Sequence, residues 1–146
     1  MTATTTDNQL SWLLSDLIDR VPHARSALLA STDGIVRAWT PQLGVDDADH
    51  LSAIASGLWS LGSGASRKFV GGGAVRQLVV EIDGGMLFVA SAGFNTCISI
   101  LTDNAADPGQ IGFEMARLVQ AVRPHLETAP RHPARPETLD PLRVRS

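Results

Sequence analysis

The thirty residues Ala74–Asp103 constrain the fold of this chain more than any other stretch. They read as three apolar runs joined by two tight turns. AVRQLVVEI (Ala74–Ile82) alternates, with Leu78, Val80 and Ile82 on one side and Gln77, Val79 and Glu81 on the other. Asp83-Gly84-Gly85 turns the chain, MLFVASA (Met86–Ala92) returns, Gly93-Phe94-Asn95 turns it again, and TCISILTD (Thr96–Asp103) completes a meander. Glycine accepts positive φ, and Asp or Asn hydrogen-bonds its own backbone, so such turns between apolar runs mark hairpins. Several of the runs are apolar on both sides, as in a sheet covered by helices on either face.

A shorter hairpin precedes the meander: SALLAS (Ser26–Ser31) and IVRAW (Ile35–Trp39) flank Thr32-Asp33-Gly34. Helical patterns bracket both. Asp7 or Asn8 can cap a helix in which Leu10, Leu13, Leu14, Leu17, Ile18 and Val21 recur at helical spacing until Pro22 ends it. Asp107 at a cap and Pro108 at the first helical position open the last helix, with Ile111, Met115, Leu118, Val119 and Val122 as its buried stripe. Pro124 is expected to stop or kink it. The order helix, strand, strand, helix, three strands, helix predicts an α/β chain: a single three-layer domain with a five-stranded antiparallel sheet between helices. At 146 residues and 44% hydrophobic, the chain can bury one such core. Residues 1–7 read as a flexible arm, 8–127 as the domain, and 128–146, with four Pro and four Arg, as a flexible tail.

The middle helix is unusual. Asp46, Asp47 and Asp49 favour its start, after which Leu51–Ser66 runs sixteen residues without a charge. Leu51, Ile54, Ala55, Leu58 and Leu61 are the expected core stripe, leaving Ser52, Ser56, Trp59, Ser60 and Ser63 outside. A merely solvated face would carry Lys, Glu or Arg. Small residues around one Trp instead predict close packing by another helix, with Trp59 as anchor. Gly57, Gly62 and Gly64 each weaken the helix by up to about 1 kcal/mol relative to Ala, so its last turn is expected to fray near Gly62. Trp12 is expected to be partial core, and Trp39 to cover the sheet near an edge.

Charge and chemistry exclude several functions. Residues 1–127 carry 8 Lys/Arg against 13 Asp/Glu, a net −5, which does not suit nucleic acid. The final nineteen residues carry +2. A single Cys allows no intrachain disulfide, and the sequence shows neither a signal peptide nor a membrane-spanning run, so a cytoplasmic location is expected. Gly71-Gly72-Gly73 is followed by Ala74 and Val75, not by the Lys and Ser/Thr of a phosphate-binding loop. His23, His50, His125 and His132 have no metal-ligand spacing, and Cys97 reads as a buried thiol with no base in view. Neither enzymatic activity, nor a cofactor, nor a metal is expected.

The stretches LLSDLIDRVPHARSALLASTDGIV, RKFVGGGAVRQLVVEIDGGMLFVASAGFNTCISILTD (with the uncharged helix before it) and DPGQIGFEMARLVQ resemble Roadblock/LC7-domain proteins of the bacterial kind encoded beside small Ras-like GTPases in actinobacterial operons. The resemblance spans about residues 8–127. It implies a homodimer in which the strands near Ala74–Ile82 pair across a two-fold axis while the helices near Asp47–Ser66 pack together. The dimer interface so expected comprises Ser52, Ala55, Ser56, Trp59, Ser63, Val75, Gln77, Val79 and Glu81. It further implies a non-catalytic adaptor or regulator of a small Ras-like GTPase in prokaryotic signalling, with a sensor-kinase-like protein as a further partner. The alternative reading is a small-ligand-binding sensory domain, which calls for a closed pocket lined by Phe88, Cys97 and their neighbours.

Overall fold

The computed structural model describes residues 5–127; residues 1–4 and the predicted tail, 128–146, lie outside that range. The elements are α1 (Thr5–Arg20), β1 (Ala24–Ser31), β2 (Val36–Trp39), α2 (Val45–Phe69), β3 (Gln77–Ile82), β4 (Gly85–Gly93), β5 (Thr96–Asp103) and α3 (Pro108–Glu127). The five strands form one antiparallel sheet in the order β2-β1-β5-β4-β3, so β2 and β3 are its edges. The predicted element order and three-layer class are those observed. Residues 5–7 belong to α1 rather than to a flexible arm.

Alternation along the central strands sorts their side chains into two cores. On one face Phe88, Ala90, Ile98 and Ile100 pack under α1 and α3, which contribute Leu10, Leu14, Leu17, Ile111, Met115 and Val122. On the other face Leu28, Leu87, Val89 and Cys97 pack under α2. Strands β4 and β5 are buried on both faces, which is why their sequences show no polar alternation.

The turns behave as their chemistry dictates. Gly34 adopts φ +96°, its N–H bonding the Ser31 carbonyl at 3.0 Å. Gly93, Phe94 and Asn95 all have positive φ, at 81°, 55° and 55°, in the β4–β5 turn. The Asp107 carboxylate accepts the Gly109 N–H at 3.0 Å, capping α3 as predicted. Pro124 does not end that helix, which continues to Glu127; the proline lies on its exposed side.

The α1–β1 turn is tied to the far end of β5. His23, at φ +72°, accepts the Asp103 N–H at its carbonyl, and its Nδ1 donates to Asp103 Oδ2 at 3.0 Å. The Ala105 N–H donates to Asp103 Oδ1 at 2.9 Å, and Arg25 stands 3.7 Å from Oδ2. The His23 hydrogen bond first, then the Ala105 N–H and the nearby positive charges, hold the Asp103 carboxyl below its ordinary value. A carboxylate with a depressed folded pKa contributes stability above its unfolded value of about 3.9 and loses that contribution as pH falls through the folded value. Urea unfolding should therefore show the wild type losing more stability than Asp103→Asn between pH 5 and pH 2. Parallel losses in the two proteins would contradict this anchoring role.

Candidate functional site

The two sheet edges differ. Strand β2 is only four residues long, and α1 packs over it, with Arg37 reaching Asp7 of α1 at 3.3 Å. Strand β3 has six residues, pairs among the described residues only with β4, and contains neither the Pro nor the Lys that commonly blunts an edge. Its Leu78 and Val80 pack against the α2 core, while Gln77, Val79 and Glu81 point to the opposite face and are exposed. Ile82, on the same side as Leu78 and Val80 by alternation, is 63% exposed at the strand's end. The strand also starts later than the sequence predicts. Ala74–Arg76 remain outside it, because Gly71, Gly72 and Gly73 at φ 81°, 92° and 109° must first bring the chain back from α2. That return is fastened by the Ser66 hydroxyl donating to the Gly73 carbonyl at 2.7 Å and the Gly72 N–H donating to Ser66 O at 2.9 Å.

Helix α2 lies above this edge in a different rotational phase from the one expected. Ala48, Leu51, Ser52 and Ala55 face the sheet and are buried, and Ser52 is fully enclosed. Ile54 and Leu61, predicted as core, are 45% and 73% exposed. The cause is the closeness of helix and sheet. A Cβ on Gly62 would stand 3.2 Å from Leu78 Cδ2 and 3.4 Å from Val75 Cγ2, so only small residues fit beneath this part of the helix. The helix also continues intact through Gly62 and Gly64 to Phe69 rather than fraying.

The expected interface set is therefore split. Ser52 and Ala55 spend their surface within their own chain and have none to offer a partner. Ser56 donates to the Thr32 carbonyl at 2.8 Å, and Trp59 packs partly on its own sheet. Ser63 and Val75 are partly exposed, and Gln77, Val79 and Glu81 lie on the open edge strand. The sequence reading missed the exposed flank of α2 formed by Ile54 and Leu61, which lie two helical turns apart with no charge between them. A usable signal was present: where small and large residues compete for one helix face, the small ones mark the closest approach.

The one thiol is buried and not activated. Burial pushes the Cys97 thiol up to about 11, which disfavours the nucleophilic thiolate. Phe88 and Cys97 are both buried but on opposite faces of the sheet, so they do not line the shared pocket that the alternative ligand-binding reading calls for. Among the described residues no group of three or more His, Cys, Asp or Glu could hold a metal ion, and no helix is long and apolar enough to cross a membrane.

This arrangement of edge and helix has relatives. The Roadblock/LC7 domain pattern matches residues 10–102. A Roadblock/LC7 domain from Streptomyces avermitilis shares 51% identity over 81% of this chain and 98% of that one, with a TM-score of 0.78. The chain belongs to the Roadblock/LC7 family. A second Roadblock/LC7 domain from the same organism is 34% identical over 77% of this chain and 97% of that one, with a TM-score of 0.64. The gliding protein MglB from Thermus thermophilus is 19% identical and shares the fold, at a TM-score of 0.77 over 88% of this chain and 96% of that one. No protein of curated function matches the chain. Within the Roadblock/LC7 fold, the open β3 edge and the apolar flank of α2 are this chain's candidate site.

Proposed function

We propose that two copies of the chain pair through β3 and α2, and that the dimer is a non-catalytic adaptor or regulator of a small Ras-like GTPase in cytoplasmic prokaryotic signalling. One observation carries this reading: the edge strand β3 is unprotected, and α2, which packs against it, leaves the uncharged residues Ile54 and Leu61 exposed. A second copy satisfies both demands together. It supplies hydrogen-bond partners to the β3 edge and apolar surface to Ile54 and Leu61. A two-fold register with Val79 facing Val79 of the second copy places Gln77 opposite Glu81, which sets an amide rather than a like charge against each carboxylate. The resulting ten-stranded platform offers shape and acidic charge to a partner rather than groups that make or break bonds. The MglB structure described with a tetrameric arrangement, at 18% identity and a TM-score of 0.76, lends support to assembly through this fold. The resemblance noted in the sequence supplies the GTPase, and a sensor-kinase-like protein as an additional partner.

The test is capture of small GTPases from the protein's own cell on the immobilised chain, with GTP or GDP present. Retention of a GTPase, more strongly in one nucleotide state, is expected. Retention of none in either state would contradict the regulator reading while leaving the dimer standing.

A further inference from the structure

The two ends of β3 carry opposite charge. Arg76 lies just before the strand, and its carbonyl accepts the Ser91 N–H at 3.2 Å, so contact with β4 extends back to it. Arg123 of α3 stands beside it: both arginines line a groove of about 440 Å³ with Gln77, over Met115 and Val119. The Arg123 guanidinium lies 5.9 Å from the centre of the Phe94 ring in the β4–β5 turn. At the other end of the strand Glu81 and Asp83 border a second groove, of about 380 Å³. All four charged side chains are exposed. Among the described residues none of them forms an ion pair, whereas Asp16, Asp103 and Glu114 each hold a basic side chain, at 2.9, 3.0 and 3.2 Å.

Antiparallel pairing turns this asymmetry into a match. In the β3-to-β3 dimer proposed above, on which this inference rests, the Val79-centred register sets Gln77 opposite Glu81 of the second copy. Gln77 lines the arginine groove, so that carboxylate arrives at the groove's mouth. One position further back, Arg76 falls opposite Ile82 of the second copy, between its Glu81 and its Asp83. Facing strands lie about 4.8 Å apart and diagonal neighbours about 7–8 Å, within reach of Arg and Glu side chains. The two-fold axis repeats the contact at the other end of the paired strands. A parallel arrangement would instead set arginine against arginine and carboxylate against carboxylate, which is destabilising.

We propose that Arg76 and Arg123 of each chain receive Glu81 and Asp83 of a second copy, and that this charge pattern fixes the register of the dimer and its choice of partner. Each arginine groove is then half of a site that the other chain completes. Charges placed in this way act on specificity and register more than on raw affinity. The pattern therefore selects a second copy over a chain of the same fold with other charges at these four positions.

The test uses the 146-residue chain in two charge-reversed forms. One carries Arg76→Glu with Arg123→Glu, the other Glu81→Lys with Asp83→Lys. Each form alone sets like charges together at both ends, and sedimentation equilibrium should show a dissociation constant raised about tenfold or more. An equimolar mixture should recover the wild-type constant, because only the mixed dimer restores opposite charges at both ends. Arg123→Glu and Glu81→Lys, mixed as single variants, leave the residues flanking β3 untouched and should show the same pattern at smaller size. In about 1 M NaCl the losses should shrink, since exposed charges are screened there within about 3 Å. A wild-type dimer that neither form weakens overturns the proposal, and so does a mixture as weak as its components; both results leave the β3-paired dimer standing. A wild-type chain that stays single at every concentration overturns the pairing itself, and the charge pattern's role with it.

Discussion

Replacing Leu61 by Asp is expected to leave a folded monomer. Leu61 is 73% exposed and belongs to neither buried core, so an aspartate there costs the isolated domain almost nothing. In the proposed dimer the same position lies in the seam, once from each chain. Burying an unpartnered polar group costs about 2 kcal/mol or more, and far more for a charge. Two such sites amount to roughly 4 kcal/mol, or about a thousandfold in the dimer dissociation constant. Light scattering at low micromolar concentration should report a halved mass with an unchanged circular dichroism spectrum. A mass equal to that of the wild type would remove α2 from the interface. Trp59→Asp is the poorer test, because Trp59 packs on its own sheet and its loss disturbs the fold as well.

A second large effect lies inside the sheet. Gly85 opens β4, where it pairs with Ile82 on β3 and Asp103 on β5. A Cβ added there would stand 2.1 Å from the carbonyl oxygen of Thr102, a backbone atom that cannot swing aside as a side chain can. Gly85→Ala must therefore push β4 and β5 apart at the end where the Asp103 anchor sits, and a loss of about 2–3 kcal/mol is expected. Gly84→Ala is the matched control, since nothing lies within 4 Å of its added Cβ. The denaturant midpoint should fall markedly for the first and hardly for the second. Equal shifts would show that the strands yield at Gly85 without strain.

The sheet was legible because its signals are local. The Asp33-Gly34, Asp83-Gly84-Gly85 and Gly93-Phe94-Asn95 turns each need only a few neighbouring residues to form, and β5 spans the residues the sequence predicts. Helix α2 was legible in existence but not in phase. Its sixteen uncharged residues provide no charged face to orient it, and its large apolar side chains are spread around the helix. The phase is decided by a long-range quantity, the height of the helix above Val75 and Leu78, which small residues at Ser52, Ala55 and Gly62 permit. The same reasoning explains Trp12. Its neighbours Leu10, Leu13 and Leu14 complete the stripe facing the sheet, so the indole one step around the helix is turned outward. Pro124 fails as a stop signal because a proline on the exposed side of a helix that is otherwise well packed removes one hydrogen bond without displacing the buried stripe.

The central claim is that the β3 edge and the α2 flank are closed by a second copy of the chain. Sedimentation equilibrium of the purified 146-residue chain across the micromolar range tests it most directly. The account predicts a species of twice the 15.5 kDa chain mass that persists on dilution. A single species of 15.5 kDa at every concentration would contradict it.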